Sequence, residues 1–107
     1  MIQTASIKGD FPSLKLGRMV RYTSTIERDY LYFLEFWSHV TWYREQPMTI
    51  RLPMPDGQIR TYKPDYEVHS HDGKTLVECK PAARLASAHT QQQCFLGQQW
   101  ADVNGYR

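Results

Sequence analysis

Pro64-Asp65, a gap of twelve residues and then Glu78-Cys79-Lys80 would bring two carboxylates and a lysine together across one hairpin. Two anionic oxygen donors beside a cation are the groups that hold Mg²⁺ against a phosphodiester and hydrolyse it. Tyr66 to Ser70 and Thr75 to Cys79 each alternate apolar and polar positions, and His71-Asp72-Gly73-Lys74 lies between them with an Asp-Gly turn signal. With Asp72 and Gly73 at the turn centre, His71 faces Lys74, Asp65 faces Lys80 and Glu67 faces Glu78. Side chains alternate with a period of two, so Asp65, Glu78 and Lys80 share one face while Tyr66, Val68, Val77 and Cys79 form the packing face. Taken alone, the same three residues also fit a solvated surface pair contributing less than about 1 kcal/mol.

Other elements must position this hairpin. Ser24-Thr25-Ile26-Glu27 reads as a capping box that opens a helix through about Trp37. Ile26, Tyr30, Phe33, Leu34 and Trp37 recur at helical spacing as its buried stripe, and Glu27 lies on the edge of that stripe, where it can simply cap the helix. His39 to Tyr43, Met48 to Leu52 and Gln58 to Tyr62 read as short strands, separated by Arg44-Glu45-Gln46-Pro47 and by the turn Pro53 to Gly57. Pro81 ends the last strand. A second helical stretch from Ala82 to about Asp102 offers Leu85, Cys94, Phe95, Leu96 and Trp100 to the core. The expected class is α+β, a helix, then a mainly antiparallel sheet, then a helix, packed as a layered sandwich.

At 107 residues the sequence is expected to form one domain. The 13 Lys and Arg against 11 Asp and Glu give a net charge of +2, too small to announce a nucleic-acid partner. Distribution is more informative: Lys8, Lys15, Arg18 and Arg21 lie in the first 21 residues with Asp10 as the only acid, so residues 1–23 read as a basic arm and 24–107 as the folded domain. Such an arm fits a phosphate backbone or a solvated terminus equally well. Cys79 and Cys94 have no metal-ligand spacing and read as reduced thiols of a cytoplasmic protein. His69 and His71 lack the further ligands a zinc site needs. No secretory segment or membrane-spanning run is present.

Three ordered sets of residues resemble the TnsA family, the endonuclease subunits of heteromeric transposases. They are Phe11-Pro12-Ser13-Leu14-Lys15 with Gly17-Arg18-Met19-Val20; Ser24 to Tyr30 with Leu34-Glu35-Phe36; and Glu45-Gln46-Pro47 before Tyr62 to Tyr66 and Val77 to Pro81. The resemblance runs from about Gly9 to Pro81 and implies a restriction-endonuclease-like core of the PD-(D/E)xK type. It implies a Mg²⁺-dependent DNA endonuclease, with Mn²⁺ substituting. Asp65 and Glu78 match the metal-binding carboxylates, Lys80 the catalytic lysine and Glu27 the acid of the first helix. The Cys79 backbone carbonyl would complete the protein's share of the metal ligands. Lys80 would orient water and stabilise transition-state charge, and Glu27 would serve a second metal or the first metal's outer shell.

Gln46 matches the family's Gln-Pro as an accessory residue. Arg18, Arg21 and Lys63 are the cations expected nearest the DNA phosphates. The implied partners are DNA, a transposase and its ATP-dependent regulator, with a homodimer also open. The implied setting is the nucleoid of a prokaryotic or phage-infected cell. TnsA-like proteins usually continue into a further strand and a C-terminal winged-helix domain, whereas this sequence ends at Arg107. Two other readings stand beside this one: a stand-alone junction-cleaving nuclease of a phage or mobile element on the same fold, and a nuclease-like DNA- or protein-binding module without turnover.

Overall fold

Ser24 begins the element on which the rest is built. Its hydroxyl accepts the Glu27 N–H at 3.1 Å and caps helix α1, Thr25–Phe36. The Glu27 carboxylate reaches back to the N–H and hydroxyl of Thr23, at 3.0 and 3.1 Å. The computed structural model describes residues 8–80 and 87–106.

Among the described residues, seven strands accompany two helices. Strands β1 (Gly9–Ser13) and β2 (Arg18–Tyr22) precede α1; β3 (Val40–Glu45), β4 (Ile50–Pro53), β5 (Ile59–Tyr62), β6 (Tyr66–Ser70) and β7 (Gly73–Val77) follow it, and α2 spans Ala88–Val103. All strand pairs are antiparallel: β1 with β2, β4 with β5, and a three-stranded sheet in the order β3-β6-β7. The chain is therefore α+β. Among the described residues no helix is long and apolar enough to cross a membrane.

The basic arm expected at residues 1–23 is corrected in its described part. Residues 9–22 form the β1–β2 hairpin, because Phe11 and Val20 pair across it and both enter the core. The turn between the strands ends at Gly17, whose φ of 67° suits glycine. Residues 1–7, together with the Pro81 and Leu85 readings, lie outside the described residues.

Phe11, Val20, Leu31, Leu34, Val40, Tyr43, Tyr66 and Val68 form the core between the hairpin, α1 and the sheet. The stripe expected on α1 is thereby corrected: Leu31 and Leu34 are buried, whereas Phe33 and Trp37 are 43% and 49% exposed and stack on each other at 5.0 Å. Glu27, Leu31 and Leu34 fall on one helical face, so the stripe that anchors α1 also carries Glu27 toward the sheet. On α2, Thr90, Leu96, Gly97 and Ala101 are the buried positions, whereas Cys94 and Phe95, expected in the core, are exposed.

One clamp joins hairpin, helix and sheet. Glu35 accepts the hydroxyls of Ser13 and Tyr43 at 2.7 and 2.8 Å and the N–H groups of Leu14 and Lys15, both at 2.9 Å. Lys15 Nζ donates to the carbonyls of Leu34, Trp37 and Val40 at 2.8, 2.7 and 2.6 Å. The last turn of α1 holds no basic residue of its own, so the hairpin supplies the cation that its C-terminus favours.

Candidate active site

The β6–β7 hairpin aligns Tyr66 with Val77 and Ser70 with Gly73, two residues away from the expected register. The reason lies in the turn. Of His71 to Lys74 only Gly73 takes a positive φ, 124°, so His71 and Asp72 occupy the turn and Gly73 opens the next strand. A two-residue shift leaves every side chain on its face. Asp65 accordingly faces Glu78 instead of Lys80, and Glu67 faces Leu76.

The backbone secures this pairing just beyond the ladder. Asp65 N–H donates to the Val77 carbonyl at 3.1 Å, and Cys79 N–H donates to Asp65 Oδ2 at 2.7 Å. Glu78 Oε1 lies 3.2 Å from Lys80 Nζ, and Glu78 Oε2 accepts the Tyr62 hydroxyl. Burial pushes the Asp65 carboxyl up to about 7; the Cys79 N–H opposes this, and hydrogen bonding to Glu78 with the charges of Glu78 and Glu27 reinforces it. Burial together with Asp65, Glu27 and Glu78 raises the Cys79 thiol to about 12, so it is an inert packing group.

A cavity of about 300 Å³ opens beside Asp65, lined by Arg21, Thr23, Glu27, Glu45 and Gln46. Gln46 enters it with a strained backbone. Its φ is 40°, and its N–H donates to the Asp65 carbonyl at 2.8 Å, so the Gln46-Pro47 turn is fixed directly onto Pro64-Asp65. Tyr66, 1% exposed, packs against Tyr30 with the rings tilted at 52° and their centroids 5.4 Å apart, and its hydroxyl has no hydrogen-bond partner among the described residues. Burial, with the charges of Glu27, Cys79, Asp65 and Glu45, raises the pKa of that phenol.

The sequence-predicted residues divide into three groups. Asp65, Glu78 and Lys80 meet directly, while Glu27, Gln46 and Arg21 share the adjoining cavity with Asp65. Arg18 stands apart in role, because its guanidinium grips both oxygens of Glu45 at 2.7 and 2.9 Å and ties β2 to the end of β3. Lys63 is exposed, one residue before Pro64. Cys79 presents its N–H to Asp65 and its side chain to the core. Sequence reasoning missed Tyr62 and Glu45 as site neighbours; their adjacency to the Pro-Asp and Gln-Pro pairs was the available signal.

The donor set suits Mg²⁺ or Mn²⁺. Burial and the neighbouring Glu78 carboxyl disfavour ionised Asp65, which retains a proton near neutral pH that a divalent cation would displace. Among the described residues no three His, Cys, Asp or Glu side chains form a ready cage. Mg²⁺ is commonly bound by one or two carboxylates, filling its shell with water and phosphate. Compared with known protein families and with curated proteins, the chain matches none.

The Asp65 shift has a measurable consequence. A carboxyl whose pKa rises on folding binds more protons in the folded chain, so stability falls as pH climbs from the unfolded value of 3.8 to about 7. Glu35, Glu45 and Glu67 act at the acid end and not between pH 5 and 8: burial would raise all three, but hydrogen bonds, with nearby cations at Glu45 and Glu67, hold them under 4.5. Allowing for solvent screening, the expected loss between pH 5 and 8 is about 1 to 2 kcal/mol. At roughly 4 to 8 °C per kcal/mol, thermal melts should show it, and Mg²⁺ should restore more stability at pH 8 than at pH 5. Equal melting temperatures across the window would contradict the buried carboxyl pair.

Proposed function

We propose that this chain is a metal-dependent DNA endonuclease with a restriction-endonuclease-like core of the PD-(D/E)xK type, similar to the TnsA subunits that cut transposon ends. The observation that carries this reading is the carboxyl pair: Asp65 held beside Glu78 by the backbone bonds to Val77 and Cys79, Lys80 3.2 Å from Glu78, and Glu27 on the adjoining cavity wall. The α+β arrangement, with the N-terminus of α1 turned toward one end of an antiparallel sheet, is compatible with that core. The ordered resemblance in sequence supports the same reading, including a transposase and its ATP-dependent regulator as partners.

Asp65 and Glu78 would hold Mg²⁺ through their carboxylates, with the Cys79 carbonyl as a third ligand. When bound, the ion supplies Lewis acidity to the scissile phosphate and lowers the pKa of a water. Glu78 fixes the Lys80 ammonium beside the pair, where it orients the attacking water and balances charge developing on the phosphate. Glu27, held by Thr23 on the cavity wall, would hold water or a second ion there. Arg21, on the same wall, offers a cation to the DNA backbone. Gln46 sets the position of Asp65 through the backbone.

Incubation with supercoiled plasmid tests the proposal. Nicked and linear DNA should accumulate with Mg²⁺ or Mn²⁺ and stop with a chelator, and Lys80→Ala should slow cutting by about a hundredfold. Equal cutting with and without chelator would overturn metal dependence. DNA binding without any cutting would favour the binding-module reading, and preference for branched over linear DNA the junction-cleaving one.

A further inference from the structure

The structure assigns Tyr62 as a positioning residue that orients the Glu78 carboxylate, with Gly97 of α2 providing the space for its ring. This inference rests on the reading of Asp65 and Glu78 as a divalent-cation pair. Tyr62 is the last residue of β5 and the only buried residue of that strand, at 6% exposure; Ile59, at the other end, is 66% exposed. The Tyr62 hydroxyl donates to Glu78 Oε2 while Lys80 engages Oε1. Both oxygens of Glu78 thus have directed partners, and the carboxylate plane is fixed relative to Asp65. Burial, reinforced by the hydrogen bond to Glu78 and the charges of Glu78 and Asp65, raises the phenol pKa and keeps the hydroxyl a donor.

Gly97 supplies independent support. Glycine in a helix interior is unfavourable, yet Gly97 lies within the 16-residue α2 and is buried. A Cβ at Gly97 would stand 2.9 Å from Tyr62 Cε2, closer than the ring allows without moving. A cleft of about 360 Å³ adjoins the contact, lined by Tyr62, Glu78, Cys94, Gly97 and Gln98 among others. The glycine therefore has a role on α2 that helix propensity does not explain: it lets the ring lie against the helix with its hydroxyl on Glu78. Hydrogen-bond partners behind a metal ligand commonly govern metal affinity by about ten- to a hundredfold.

Calorimetric titration with Mn²⁺ at about pH 8, on the wild type, Tyr62→Phe and Gly97→Ala, tests the assignment. Tyr62→Phe keeps the ring and should fold as the wild type does, yet bind Mn²⁺ about ten- to a hundredfold more weakly. Its plasmid cutting should move to correspondingly higher Mn²⁺, with the rate at saturating metal little changed. Gly97→Ala should weaken Mn²⁺ binding in the same direction, and the double variant should add little to Tyr62→Phe. Wild-type affinity in folded Tyr62→Phe would overturn the role of Tyr62 and leave the site reading intact. Absence of Mn²⁺ binding by the wild type would remove the site reading and this inference with it.

Discussion

Plasmid cutting by Asp65→Asn in Mg²⁺ is expected to fall by about 10²- to 10³-fold, while the metal-free variant at pH 8 melts at or above the wild-type temperature. The two effects have opposite signs for one physical reason. Asp65 is partly buried against Glu78 with Glu27 nearby, so its negative charge is unfavourable until a cation arrives. Asparagine retains an oxygen to accept the Cys79 N–H, which Asp65 accepts at 2.7 Å, but removes the charge a metal needs. The fall in stability between pH 5 and 8 should disappear in the same variant. A variant that loses cutting because it unfolds would melt lower at every pH, and this outcome would contradict the assigned role.

Glu35→Ala is expected to cost about 3 to 5 kcal/mol, much of the margin of a small domain. The side chain accepts four hydrogen bonds from three parts of the chain: the β1–β2 turn twice through backbone N–H groups, Ser13 and Tyr43. Ser13 is 4% exposed and Tyr43 fully buried, so alanine removes the acceptor of two hydroxyls that water cannot readily reach. Burial alone would raise the Glu35 pKa, but the bonds from Ser13, Lys15, Tyr43 and Leu14 hold it below 4.5. A group lowered in this way stabilises the fold above the unfolded value and ceases to do so as pH falls through the folded one. Chemical denaturation should therefore show a large loss at neutral pH and a weaker acid dependence in the variant. Glu35→Gln, which keeps acceptor capacity, should lose less.

The sequence read local structure better than contacts between distant segments. Ser24 as the cap and Thr25–Phe36 as the helix were legible because capping chemistry is confined to four residues. The face shared by Asp65, Glu78 and Lys80 was legible from alternation, and it survived a two-residue register error because the side-chain period is also two. Basic composition concealed the β1–β2 hairpin, although Phe11, Val20 and a turn glycine at 17 were present as signals. In α1 nearly every face carries an aromatic or aliphatic residue, so periodicity favoured Phe33 and Trp37 over Leu31. Ser13 and Lys15 meeting Glu35, and Gly97 meeting Tyr62, are contacts between segments at least 20 residues apart, and no local spacing announces them.

Diffraction from crystals grown with Mn²⁺ at about pH 8 tests the central claim most directly. Anomalous density is expected between Asp65 and Glu78, with an oxygen of each carboxylate bound directly to the ion. Mn²⁺ bound elsewhere, with no density between Asp65 and Glu78, would contradict the claim.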